Sequence, residues 1–235
     1  MAEPGAGSAG RMVWDWPVRL THWLLVGTVT GSYVTHRLGP DQFKYHRWFG
    51  YATLMLVTVR ILWGFIGTRH ARFAAFVRGP VAVARYLAGF VRGRFEGYAG
   101  HNPAGGWIIF LMLALLLAQA LTGLFANDEI ASTGPLYGYV TSAVSNRLTA
   151  WHHRIFDAIL IAIALHVVAV LAYLWLKRTN LIGPMVTGRK PAESVAPGEE
   201  IPGSRGWLWI GLVAAAGAAL AWIIARAPAA GLFVF

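Results

Sequence analysis

Residues 150–176, AWHHRIFDAILIAIALHVVAVLAYLWL, decide the fold. Arg154 and Asp157 are the only Asp, Glu, Lys or Arg in this run. A helix of this length, rising about 1.5 Å per residue, exceeds a hydrocarbon core about 30 Å thick. Its histidines His152 and His166 lie fourteen residues apart. Fourteen residues are close to four helical turns, so the side chains fall about 40° apart on one face. Along the axis they are about 21 Å apart. That spacing puts one imidazole near each edge of the membrane core. Ionisable groups inside a membrane helix are costly and mark functional sites. The spacing therefore implies two buried cofactors, one per leaflet.

Four further apolar stretches, at roughly 19–36, 46–66, 106–126 and 206–225, approach the length needed to span a bilayer. The chain is 57% hydrophobic and only 13% charged, outside the range of an ordinary soluble domain. The first stretch lacks a small-residue cleavage site and reads as a membrane helix, not a signal peptide. No cysteine is present, which excludes disulfides, thiolate-held clusters and haem attached through C-x-x-C-H.

The net charge of +10 is unevenly placed. Arg69, Arg72, Arg78, Arg85, Arg92 and Arg94 stand between the second and third stretches, against Glu96. Lys177, Arg178, Arg189 and Lys190 follow the fourth, whereas the loop before it carries Asp128 and Glu129. This is the positive-inside pattern. It predicts a cytoplasmic amino terminus, five spans and a periplasmic carboxyl terminus in a bacterial inner membrane. The basic surface faces anionic lipid and not nucleic acid.

Residues 1–12, rich in Gly and Ala, read as disordered. Residues 13–187 form the main membrane unit. Within it, 76–94 reads as an inner-leaflet amphipathic helix, opened by Gly79-Pro80, with Arg78, Arg85 and Arg92 toward headgroups. Asn102-Pro103 caps the third span. Residues 188–205 read as a linker, and 206–235 as a fifth membrane helix with a tail. Ala214, Gly217 and Ala218 suit that helix to packing or assembly, a homodimer included.

The eight histidines sort by depth. His22 and His166 are the buried candidates on the inner side. On the outer side stand His152 or His153, with His46 or His36. Each pair can supply two axial nitrogens to one iron, and with no thiolate present bis-histidine haem b is the natural occupant. Too few clustered ligands exist for zinc or di-iron. His153 lies about 140° from His166 around the helix, so phase selects His152. His36 also stands fourteen residues from its neighbour His22, but it precedes a Leu-Gly-Pro turn. His46 is one turn before Gly50, where a missing side chain lets a flat macrocycle approach, and it is the better candidate. Arg60, fourteen residues after His46, either meets a propionate at the inner haem or snorkels to the interface.

Leu20-Thr21-His22-Trp23, His46-x-x-x-Gly50-Tyr51, Gly100-His101-Asn102-Pro103-x-Gly105-Gly106 and His152…His166 together resemble the prokaryotic cytochrome b561 family. That group includes the b-type cytochrome subunits of nickel-iron hydrogenases. The likeness covers about residues 13–190. It implies an all-α integral membrane four-helix bundle holding two b haems, with one additional C-terminal transmembrane helix beyond the usual core. It also implies that His22 pairs with His166 and His46 with His152, and it leaves His36 without a family role.

Such a chain is expected to carry electrons across the bilayer between a quinone and a redox partner, either a cytochrome c or a hydrogenase-like complex. A self-contained superoxide:quinone oxidoreductase is the alternative. For that reading Arg37, Lys44, Arg47, Arg147 and Arg154 would attract the anion, although they serve equally to hold propionates. Asp157 either pairs with Arg154 at i, i+3, the favoured reading, or relays a proton. The sequence assigns no catalytic residue.

Overall fold

The apolar periodicity produces an almost wholly helical molecule in the computed structural model, which describes residues 10–94, 97–129 and 132–228. Five long helices run its length: α1 (Trp16–Arg37), α2 (Phe43–Ile66), α5 (Pro103–Gly123), α6 (Ser142–Leu176) and α8 (Gly206–Ala225). Shorter helices α3 (Phe73–Phe76), α4 (Pro80–Val91) and α7 (Ile182–Thr187) lie between them. The end holding Trp16 and Leu176 is here the basal end, and the other the distal end.

The caps follow the sequence. Asp15 Oδ1 accepts from the Val18 amide at 2.7 Å, with Pro17 in the first turn of α1. Asn102 Oδ1 accepts from the Gly105 amide at 2.7 Å at the start of α5. Gly39, at φ 104°, turns the chain between α1 and α2, a conformation glycine adopts without strain. α6 begins at Ser142, eight residues before the apolar run, because Thr141 caps it and nothing in 142–149 breaks a helix.

Among the described residues four helices, α2, α5, α6 and α8, are long and apolar enough to cross a membrane, one fewer than the five spans expected. α1 spans 22 residues, enough in length, but Thr21, His22, Thr28, Thr30, Ser32, Thr35 and His36 make it more polar. It nonetheless packs lengthwise on α2. α2 also packs on α5, α5 on α6, and α8 on α2. α1 and α6 do not pack closely on each other. Val57, Leu113, Leu116 and Ile159 form the apolar centre where α2, α5 and α6 meet. α8 joins the bundle within one chain: Gly217 faces Met55 Sδ, and Trp209 Nε1 donates to buried Thr21 Oγ1 at 3.1 Å.

Three expectations change. The disordered segment expected at 1–12 includes Arg11–Met12, which is strand β1, paired antiparallel with strand β2 (Arg189–Lys190). Residues 1–9 lie outside the described residues. The expected linker 188–205 is instead a strap packed across the basal end. Its Val195 and Ile201 are buried, and the Ile201 amide donates to the Met12 carbonyl at 2.9 Å. Scattered apolar residues in a polar composition hold it there. The amphipathic segment expected as one helix at 76–94 is helical at 80–91, with Phe76 closing the separate helix α3. The Gly79-Pro80 start holds, and Gly93 at φ 71° follows its end. Glu96 and the tail 229–235 lie outside the described residues.

Candidate functional site

Antiparallel α1 and α6 place their fourteen-residue histidine steps against each other. At the basal level the ring centroids of His22 and His166 lie 6.4 Å apart. At the distal level His46, carried by α2, lies 6.2 Å from His152. Two imidazoles that share a metal ion about 2.0 Å from one nitrogen of each have centroids about 6 Å apart. Both pairs meet that spacing.

Spacing alone does not select the distal pair. His36 lies 5.8 Å from His46 and 6.3 Å from His153. Hydrogen bonding separates them. His46 Nδ1 is 2.9 Å from the Ser32 carbonyl and 3.1 Å from Ser32 Oγ. His152 Nδ1 is 2.9 Å from the Gln119 carbonyl, with Thr122 Oγ1 at 3.3 Å. A carbonyl bonded to Nδ1 fixes the tautomer whose Nε2 carries the lone pair a metal needs, and in His152 that Nε2 meets the Gln119 side-chain amide nitrogen at 3.1 Å, a bond that a metal would replace. His36 and His153 are exposed and make no such bond among the described residues. At the basal level, His22 Nδ1 is buried without a hydrogen-bond partner among the described residues. A buried imidazole with an orphaned nitrogen, its ring at metal-sharing distance from a second histidine, suits a bound group. The residues present therefore fit haem b in bis-histidine sites.

Gly50 borders open space, since a Cβ there would meet nothing within 4 Å. On α5, Gly123 lets His152 approach: a Cβ there would stand 2.9 Å from its Cε1. Ser32, Gln119 and Thr122 escaped the sequence reading. Gln119 and Thr122 are the only hydrogen-bonding side chains between Trp107 and Gly123 in an otherwise apolar helix, and that was the available signal.

Arg60 does not snorkel. It is buried, and Nη1 donates to the Ala71 carbonyl at 3.3 Å with the guanidinium 5.8 Å from the Phe73 ring centroid. Beneath it Asp15, fully buried, accepts from Trp63 Nε1 at 3.1 Å and from Thr68 Oγ1. His101 lies between Trp14 and Phe76, with centroids 4.6 and 4.7 Å away. Burial, then the charges of Arg60, Lys190, His70 and His166, push its pKa down to about 3. Burial is also the largest influence on Lys190 and His70, and lowers both. The strap supplies acceptors here: His70 Nε2 meets the Glu199 carbonyl at 2.6 Å.

At the distal end Arg37, Lys44, Arg47, Arg147 and Arg154 are exposed. Arg47 lies over Phe43 at 5.7 Å and Arg154 over Trp151 at 5.6 Å. The expected Arg154–Asp157 pair is not formed among the described residues. The guanidinium turns to the indole one turn earlier, where cation–π contact competes with a solvated carboxylate.

The family profile for prokaryotic cytochrome b561 matches residues 13–188. A probable Ni/Fe-hydrogenase B-type cytochrome subunit of Rhodobacter capsulatus is 29% identical over 212 residues, covering 76% of this chain and 80% of its own. A protein of the same description from Rhizobium leguminosarum bv. viciae is 27% identical over 211 residues, covering 76% and 87%. Another from Bradyrhizobium diazoefficiens is 25% identical over 220 residues, covering 80% and 89%. No solved structure matches the chain.

Proposed function

The chain belongs to the prokaryotic cytochrome b561 family, as a multi-pass membrane b-type cytochrome, and on that premise we propose that it is a dihaem electron carrier across the bilayer. The basal haem is held by His22 and His166, the distal haem by His46 and His152. Each haem supplies one-electron chemistry, at a potential set by its axial ligands, hydrogen bonding and burial. Ser32 and the Gln119 carbonyl orient His46 and His152. Gly50 leaves room for the distal macrocycle, and Arg60 serves the basal one. Carriage, with no bond-making of its own, is the task left to the protein.

The observation that carries this reading is the two histidine pairs, at two levels of a cleft where α1 and α6 do not pack together. The reactants at the two ends are a membrane quinone and a redox protein. A hydrogenase-like complex is favoured over a cytochrome c because the relatives carry that description. The basic basal end faces the cytoplasm of a bacterial inner membrane, which places the amino terminus inside and the carboxyl terminus in the periplasm.

The test is haem stoichiometry and a redox titration of the purified chain. Two low-spin haems per chain, reduced in two one-electron waves, are expected. A single haem, or high-spin haem only, contradicts the proposal.

A further inference from the structure

The basal end carries polar chemistry that axial ligation does not use. Arg60 is buried, and its one hydrogen bond among the described residues is the long contact to Ala71. No carboxylate lies within ion-pair distance of it among the described residues: the ion pairs there are Arg11–Glu200 and Arg69–Glu199. Asp15 acts on it electrostatically, but its oxygens are engaged by Val18, Trp63 and Thr68. A buried guanidinium left unpaired is strongly unfavourable.

His101 presents the same problem from the opposite wall. Its Nδ1 is buried with no hydrogen-bond partner among the described residues, although Trp14 and Phe76 both pack against the ring. An unmade buried bond costs about 1–3 kcal/mol. Arg60 lies against Phe73, Phe73 against Phe76 and Phe76 against His101, and the charges of Arg60 and of the basal ligand His166 both act on His101. Lys190, buried by the strap with Nζ donating to the Tyr98 carbonyl at 3.0 Å, adds to the positive surroundings. A missing acceptor beside a missing counter-charge describes an anion with two or more oxygens.

We propose that Arg60 and His101 form a carboxylate-binding site that takes one propionate of the basal haem, with His101 Nδ1 donating one bond and the Arg60 guanidinium the other. This rests on the dihaem reading above. Both residues are positioning and tuning groups: they fix the rotation of the macrocycle about the His22–His166 axis and offset a negative charge close to the iron. Offsetting that charge favours the reduced haem. Among the described residues the distal level has no buried equivalent: Arg37, Arg47, Arg147 and Arg154 are exposed, with Arg47 and Arg154 laid on aromatic rings.

The test is a redox titration of the holoprotein carrying His101→Phe, which keeps the aromatic packing and removes the nitrogen. The basal haem is identified as the one missing in His22→Ala. At a fixed ambient potential its oxidised-to-reduced ratio should rise about threefold to tenfold. The distal haem should not change. Arg60→Lys should shift the basal haem in the same direction, and less than His101→Phe. Wild-type chain reconstituted with haem dimethyl ester, which lacks the propionate charge, should shift the basal haem the opposite way, toward the reduced form, and His101→Phe should then add nothing to it.

If the His101→Phe shift persists in full with the ester, the anion is a free phosphate or a lipid headgroup, and the propionate assignment fails. If neither variant nor ester moves a basal haem that stays low-spin, the site does not bind a carboxylate at all. A wild-type chain without two haems would instead remove the dihaem reading, a result visible before any variant is made.

Discussion

The two histidine levels are built by different means. The distal level is made entirely on long helices: His46 on α2 leans on Ser32 of α1, and His152 on α6 leans on Gln119 of α5. It is also open, with His36 and His153 exposed beside it. The basal level places His22 and His166 without any carbonyl behind His22 Nδ1. The basal end around it is closed by segments outside the long helices: Val13–Asp15, Thr68–Ala71, Tyr98–His101 and the strap through Ile201. Ligand orientation at the distal level is thus a property of helix packing. At the basal level it depends on a lid that must fold over the helix ends.

The largest effect should come from the ligands. His46→Ala or His152→Ala should halve the haem content and leave the basal haem intact, and His22→Ala or His166→Ala should do the reverse. Pyridine haemochrome assay against protein concentration reads this directly. His36→Ala and His153→Ala should retain both haems. Loss of the distal haem from His36→Ala, with retention in His46→Ala, would reverse the distal pairing and cancel the role given to Ser32.

Next comes the basal lid. Asp15 satisfies an amide, an indole and a hydroxyl in a site with no solvent exposure. Asp15→Ala leaves all three unpaired, at a cost of about 3 kcal/mol or more. The thermal midpoint of the detergent-solubilised protein should fall by roughly 5–10 °C. Haem loss on warming should begin at the basal site. Asp15→Asn keeps the shape and part of the bonding and should lose less. An Asp15→Ala protein that sheds its distal haem first would contradict the division between the two ends.

What could be read from the sequence follows the same division. Helix periodicity carries the distal level because it places residues of long helices relative to each other, and the histidine steps on α1 and α6 needed only a regular 3.6-residue turn. It also located α8 and the Gly79-Pro80 and Asn102-Pro103 starts. The lid was not legible. Residues 188–205 are polar and rich in turn formers, and nothing local shows that Val195 and Ile201 will be buried against Trp14 and its neighbours. A two-residue strand pairing Arg11–Met12 with Arg189–Lys190 joins positions some 180 apart, beyond the reach of any windowed pattern. Arg60 illustrates both sides. Its helix phase placed it at the basal depth, but only the folded lid decides that it is enclosed. Gln119 was legible in principle, as an isolated amide in an apolar helix, yet its main-chain carbonyl performs the clearest function and no sequence marks a carbonyl.

The smallest expected effect tests the strap itself. His70 is buried, with Nε2 bonded to the Glu199 carbonyl and Arg69, Glu199 and Lys190 around it. Burial outweighs the carbonyl and Glu199, so the folded protein holds His70 below its ordinary 6.5. The protonated form is therefore favoured in the undocked strap. Docking is at full strength above about pH 6.5 and weakens as the pH falls below it. Limited proteolysis of the holoprotein at pH 7.5 and 5.5 should show faster cleavage within 195–205 at the lower value, by a few-fold. His70→Gln retains a donor to Glu199 and cannot titrate, so it should flatten that difference. The distal loop at 132–141, held by bonds that need no histidine, should show none of it. Equal acid sensitivity at both ends would mean that the strap is not a separately docked element.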